Sequence, residues 1–195
     1  MTDGLRFGYG QTVGLMGGSF DPAHAGHVHT AVVARKRLGL DHVVWLVSPQ
    51  NPLKVASSPL SQRLASARAL APRRDQVSDF ESRHHCHYSI ETIKALKARY
   101  KGVNFVFIMG SDVFADLHKW RAWREVMHLV PMAIVSRPPH VIKARTSRPA
   151  LQFRSYQSQA HSALALARSK PPAWIMLDAP LNRDSSTQIR QSLSI

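Results

Sequence analysis

His24 and His27, three residues apart around Gly26 and directly after Gly17-Gly-Ser-Phe-Asp-Pro22, are the side chains best placed by spacing to do chemistry. That spacing turns both imidazoles to one side of a first helical turn. Backbone N–H groups at such a turn have no intrahelical partner and carry the positive end of the helix dipole, so they favour an anion. Gly17 and Gly18 allow a ligand to approach the backbone closely. Two ring donors would then converge on one phosphate. The run is neither a Walker A loop, since no Gly-Lys-Ser/Thr follows, nor the dinucleotide G-x-G-x-x-G.

A second group of phosphate-binding type stands near the other end, Ser185-Ser-Thr-Gln-Ile-Arg190. Hydroxyls and free N–H groups at a helix start bind phosphate oxygens, and Arg190 falls on the side of Ser186 and Thr187. Its guanidinium adds a rigid donor fork and a fixed charge. The plainer alternative is a capped helix with an exposed arginine.

Positioning these groups requires strands that end where helices begin. Residues 12–16 read as a buried strand, 27–38 as a helix stopped by Gly39, and 42–47 (His-Val-Val-Trp-Leu-Val) as a strand buried on both faces. Residues 60–70 return to helical spacing and 76–80 form a weak strand. A helix follows over 88–100, with Ser89 as its expected N-cap, then a clear strand over 103–109. One or two short helices are expected over 117–129, and strands over 132–136 and 174–177. A last helix is expected over 185–193. Residues 1–11 are expected as a loose N-terminal arm and 140–172 as an insertion or mobile flap, helical near 156–168. Strands alternating with helices predict an α/β fold: one Rossmann-like, doubly wound domain over 1–195, its mostly parallel sheet covered by helices on both faces. Ligands bind such sheets beyond the carboxyl ends of the strands.

Composition fits one domain with a sizeable core: 195 residues, 44% hydrophobic and 19% charged. No apolar run reaches the roughly 20 residues of a membrane span, and no secretory leader is evident, so a cytoplasmic protein with no membrane partner is expected. The single Cys86 precludes an intrachain disulfide. A net charge of +14 favours anionic partners. Nucleic acid is not expected among them, because the basic run after Arg137 lacks the interleaved aromatics on which bases stack. His84, His85, Cys86 and His87 invite a zinc reading, but adjacent residues cannot all face one tetrahedral centre, and no metal site is assigned.

The run Gly17-Gly-Ser-Phe-Asp-Pro-Ala-His-Ala-Gly-His27 matches Gly-Gly-Ser-Phe-Asp-Pro-x-His-x-Gly-His, and here the sequence resembles the bacterial nicotinate-nucleotide adenylyltransferases of the nucleotidyltransferase superfamily. The resemblance spans essentially the whole chain. Ser185-Ser-Thr-Gln-Ile-Arg190 resembles that family's Ser-Ser-Thr-x-x-Arg. Pro49-Gln-Asn-Pro-Leu-Lys54 is similar to its Pro-rich loop, Tyr88-Ser-Ile-Glu-Thr92 to its Tyr-Thr/Ser-x-Asp/Glu-Thr segment, and Phe107-Ile-Met-Gly-Ser-Asp112 with Trp120 to its Gly-x-Asp and downstream Trp. The first loop is shorter than in many relatives, which bears on the substrate loop more than on the reaction.

The resemblance implies transfer of AMP from ATP to nicotinate mononucleotide, with Mg2+ carried on the ATP. By the same carry-over His24, His27 and Arg190 would be catalytic. ATP would meet Gly17, Gly18, Ser19, Phe20, His24, His27, Gly110, Asp112, Arg137, Ser185, Ser186, Thr187 and Arg190. The mononucleotide would meet Ser19, Lys54, Thr92, Asp112 and Trp120, with Asp112 on a ribose hydroxyl and Trp120 on the pyridine ring. Trp45 and Trp123 compete with Trp120 for that stacking role. The alternatives are a related nucleotidyltransferase acting on nicotinamide mononucleotide or pantetheine phosphate, and a basic RNA-binding protein.

Overall fold

Apolar runs buried on both faces must pair their backbone groups with one another, and each one here becomes a parallel strand. The computed structural model describes residues 4–49, 58–137 and 139–178. The first half runs β1 (Thr12–Gly18), α1 (Ala25–Leu38), β2 (His42–Val47), α2 (Leu60–Leu70), β3 (Gln76–Ser78), α3 (Phe80–Arg83), α4 (Ser89–Arg99) and β4 (Asn104–Gly110). There follow α5 (Ser111–Ala115), a 3-10 turn (Leu117–Lys119), α6 (Trp123–Leu129), β5 (Met132–Val135), α7 (Val141–Arg145), α8 (Arg148–Gln152), β6 (Gln157–Ser158), α9 (Ala163–Leu166) and β7 (Trp174–Leu177).

Among the described residues the strands form one seven-stranded sheet in the order β3-β2-β1-β4-β5-β7-β6, parallel at every pairing. The chain leaves β1 for β2 on one side and later returns to β4 on the other, so the crevice of a doubly wound sheet opens between β1 and β4. Residues from α1, α2 and α9 (Ala31, Leu38, Leu64, Leu166) pack on one face. Residues from α3 to α8 (Phe80, Ile93, Phe114, Met127, Ala144, Ala150) pack on the other. The expected Rossmann-like architecture is therefore the observed one. At its centre a Cβ on Gly14 would run into the side chains of Ile108 and Leu40, so β1 meets its layer of helices and strands without a side chain there.

Of residues 1–11, expected as a loose arm, Leu5 and Phe7 are anchored on the fold while Tyr9 is 92% exposed. Leu5 is buried, and the Phe7 ring stacks on His42 at 5.5 Å and meets Tyr100 and Phe105 edge-on. Arg6 and the Gln76 amide exchange hydrogen bonds, closing the amino end of the sheet opposite the crevice.

Residues 140–172, expected as an insertion or mobile flap, are anchored to the fold at several points. Ala144, Ala150 and Phe153 are buried against α5 and its neighbours, and the Trp174 indole donates to the Phe153 carbonyl at 2.8 Å. β6 extends the sheet edge, and Ala163 and Leu166 pack on the α1 face. The expected helix over 156–168 is broken into short pieces, because the segment turns around the sheet edge from one face to the other.

Element boundaries also move. The weak strand stops at Ser78 and Phe80 already opens α3. The N-cap position of α4 is Tyr88 rather than Ser89. The Glu91 carboxylate does the capping, accepting from the backbone N–H groups of His87 at 2.8 Å and Tyr88 at 3.2 Å.

Candidate active site

α1 begins with a histidine where Ser, Thr, Asp or Asn is usual. The His24 Nδ1 accepts the Gly26 N–H at 3.1 Å, and the His27 Nδ1 accepts the His24 N–H at 3.2 Å, a reciprocal cap built from two imidazoles. A ring nitrogen that accepts a backbone N–H carries no proton, so each neutral ring holds its proton on Nε2. Both residues thus become oriented donors at the positive end of a 14-residue helix. Their rings lie 3.8 Å apart.

The support under them is traceable inward. The Phe20 ring meets His27 edge-on at 4.8 Å and stacks on Trp45 at 5.3 Å, and the Trp45 indole donates to the buried Asp75 carboxylate at 3.3 Å. Phe20 holds a left-handed backbone (φ 49°) and is 1% exposed. Its ring is a prop beneath His27, which leaves only its backbone for a nucleotide. A Cβ on Gly18 would crowd that ring at 3.2 Å. Gly17 does not need to be glycine for packing: it is exposed, its φ is ordinary, and the nearest atom to a Cβ would be Phe107 Cζ at 3.7 Å. The space above it is open to the cleft.

Beyond the ends of β1 and β2 lies a cleft lined by Gly17, Gly18, Ser48, Glu81, Tyr88 and Trp120, with Lys119 and Arg121 beside the tryptophan. Trp120 is half-buried and rests edge-on against Phe107 at 6.0 Å. Trp45, Trp123 and Trp174 are core residues, 0%, 5% and 1% exposed. Trp120 is therefore the tryptophan at the cleft. The Arg121 guanidinium lies 4.7 Å over the Tyr88 ring at the rim. Glu91 on the same rim is held below the ordinary glutamate range chiefly by the His87 N–H it accepts.

Thr92 does not reach the cleft. It is 1% exposed, and its hydroxyl donates to Glu81 Oε1 at 3.0 Å. Glu81 is the residue that lines the cleft, its carboxyl pushed up by burial against hydrogen bonds from Thr92 and Ser48.

Asp112 lies across the crevice, at the start of α5. One oxygen faces the Arg137 guanidinium at 3.6 Å, while Oδ1 is buried without a hydrogen-bond partner. A buried carboxylate oxygen left unpaired is costly, and a ligand hydroxyl is the kind of donor that would satisfy it. Gly110 has no room for a Cβ because that same oxygen lies there. Arg137 is fixed by exchange with Ser111, whose Oγ accepts the Arg137 N–H at 2.8 Å and donates to the Arg137 carbonyl at 3.0 Å. Its Nη2 donates to the Gly26 carbonyl at 3.4 Å, tying the end of β5 to the first turn of α1.

The structure thus gathers Gly17, Gly18, Ser19, His24, His27, Asp112, Trp120 and Arg137 along the carboxyl edge of the sheet. Lys54, Ser185, Ser186, Thr187 and Arg190 lie outside the described residues. Glu81 and Arg63 were missed from sequence. Arg63 is 2% exposed and bonded to carbonyls after the ends of β1 and β2, on one side of the crevice, yet in the sequence it is one more arginine in a polar helix. Among the described residues no three His, Cys, Asp or Glu side chains converge as a metal site. Among them also, no helix is long and apolar enough to cross a membrane.

The cytidylyltransferase-like family matches residues 15–192. A probable nicotinate-nucleotide adenylyltransferase of Caulobacter sp. (strain K31) is 49% identical, over 91% of this chain and 96% of its own. One of Cereibacter sphaeroides (strain ATCC 17025 / ATH 2.4.3) is 48% identical over the same shares. The Plasmodium falciparum nicotinic acid mononucleotide adenylyltransferase complexed with NaAD superposes with a TM-score of 0.64 at 16% identity, covering 92% of this chain and 82% of that one, a likeness of fold. The chain belongs to the nicotinate-nucleotide adenylyltransferases, within the cytidylyltransferase-like family, and is an enzyme.

Proposed function

We propose that this enzyme transfers AMP from ATP to nicotinate mononucleotide, giving the deamido form of NAD and pyrophosphate. The observation that carries the proposal is the pairing of two Nε2–H donors at the start of α1 with a tryptophan-walled cleft on the adjoining side of β1. A phosphate oxygen of the mononucleotide attacks the α-phosphorus of ATP. The new P–O bond forms as the α–β bridging bond breaks, and its electron pair leaves with pyrophosphate. The attacking oxygen is already anionic, so the obstacle is bringing two anions into line rather than removing a proton.

His24 and His27 donate to phosphate oxygens as charge grows on them, with no rearrangement at the moment of reaction. Arg137 adds fixed positive charge beside them. Asp112 Oδ1 takes a ribose hydroxyl, and Trp120 stacks on the pyridine ring, with Ser19 and Lys54 on the mononucleotide side. In the C-terminal motif, Ser185, Ser186, Thr187 and Arg190 grip the outgoing pyrophosphate. Mg2+ would be carried on the triphosphate and would neutralise phosphate charge there, a mode of binding that asks for at most one or two protein carboxylates besides the substrate phosphates.

Pyrophosphate release should be measured with ATP and, in turn, nicotinate mononucleotide, nicotinamide mononucleotide and pantetheine phosphate. The highest kcat/KM is expected with the first. A preference for either of the others reassigns the acceptor, and no release with any refutes the reaction.

A further inference from the structure

Arg63, on the first turn of α2, directs all three guanidinium nitrogens at backbone carbonyls. Nε donates to Ser58 at 3.0 Å, Nη1 to Ser19 at 2.8 Å and Ser48 at 2.6 Å, and Nη2 to Pro49 at 2.9 Å. These carbonyls come from three separate stretches: the turn after β1, the end of β2, and the approach to α2. Burial disfavours the arginine's charge, and the neighbouring Asp21, 2% exposed, partly offsets this. Asp21 in turn accepts the Ser58 N–H at 3.4 Å. The aspartate of the Gly-Gly-Ser-Phe-Asp-Pro turn thus serves as counter-charge to an arginine on the next helix.

Four carbonyls around one side chain need a donor set that only a guanidinium supplies; a lysine has three donors on a single nitrogen. Arg63 itself does not line the cleft, but Ser48 does, and the Ser48 hydroxyl also supports Glu81. None of the four partners lies at Asp112 or Arg137, on the other side of the crevice. We infer that Arg63 is a positioning residue for the mononucleotide half of the site, holding the turn after β1 and the end of β2 at a fixed separation.

The inference rests on the proposed adenylyl transfer, and the test separates the two. Wild-type release of pyrophosphate with nicotinate mononucleotide tests the reaction. Steady-state kinetics of Arg63→Lys and Arg63→Ala, with folding checked by circular dichroism, test the residue. For Arg63→Lys the KM for the mononucleotide should rise ~10-fold or more, with kcat reduced and the KM for ATP changed less than about twofold, tenfold being about 1.4 kcal/mol. For Arg63→Ala a larger rise is expected, partly reversed by added guanidinium ion at non-denaturing concentration. If the alanine variant does not fold, the lysine variant alone decides. Parallel rises in both KM values, or lowered thermal stability with neither KM changed, overturn the inference while leaving the reaction intact.

Discussion

His27 accepts the backbone N–H of His24 through Nδ1 at 3.2 Å, so one imidazole of the pair fixes the cap on which the other stands. The two therefore have separable roles. His27→Ala removes a phosphate donor and should lower kcat about 100- to 1000-fold, the usual loss for one oriented donor. His27→Gln, which can still accept and donate, should keep more of the rate. Circular dichroism of His27→Ala should match wild type, and near wild-type turnover would exclude His27 from the chemistry.

Asp112→Ala deletes the orphaned Oδ1 together with a distant contact to Arg137. Loss of a hydrogen bond to a charged group amounts to about 1.5–3 kcal/mol, so nucleotide binding should weaken roughly 10- to 150-fold. Because the carboxylate is poorly satisfied in the free protein, the melting temperature should not fall. Calorimetric titration beside a thermal melt checks both; a large drop in Tm would mean that Asp112 serves the fold.

Glu81 gives a pH signature. Burial raises its carboxyl above the ordinary 4.5. Between that value and its raised one, the native protein holds a proton that the unfolded chain has lost, so its contribution to stability falls as pH rises through the window. Glu81→Gln keeps an acceptor for Thr92 and cannot ionise. The stability of the variant relative to wild type, from urea midpoints, should therefore increase with pH from about 4.5 upward and level off above the raised value. A pH-independent difference would show that Glu81 titrates as it does in water.

Trp120→Phe should retain stacking and Trp120→Ala should lose it. The mononucleotide KM is expected to rise several-fold to tenfold in the alanine variant, within the range of about 1–3 kcal/mol for base–aromatic stacking. Since the other three tryptophans are in the core, quenching of intrinsic fluorescence by the mononucleotide should vanish in both variants. Persistent quenching would move the ring elsewhere.

The half of the molecule around β1, α1 and β2 was legible because its signals are local: a valine-rich apolar run, a glycine stop, and histidines at helical spacing. What escaped is held by contacts distant in sequence. Arg63 and Glu81 sit in polar helical segments that resemble a solvated face, and only the packing of α2 and α3 against β2, from opposite faces of the sheet, buries them. Residues 140–172 carry no period because their helices span no more than five residues and take their order from Phe153, Trp174 and the sheet edge. Leu5 and Phe7, flanked by glycines, gave no hint of the aromatic floor they form with Tyr100 and Phe105.

Gly14 and Gly17 lie on the same strand with opposite constraints, the first crowded by Ile108 and Leu40, the second open to the crevice. In a pooled mutational scan, alanine at position 14 should be depleted by any readout of abundance, since overpacking a core costs about 1–3 kcal/mol. Alanine at position 17 should accumulate to normal levels and be depleted only when growth depends on the enzyme's product. Selection for folding and selection for ligand are thus registered separately within one strand, and the gap between the two scans would trace the substrate's outline without a bound ligand.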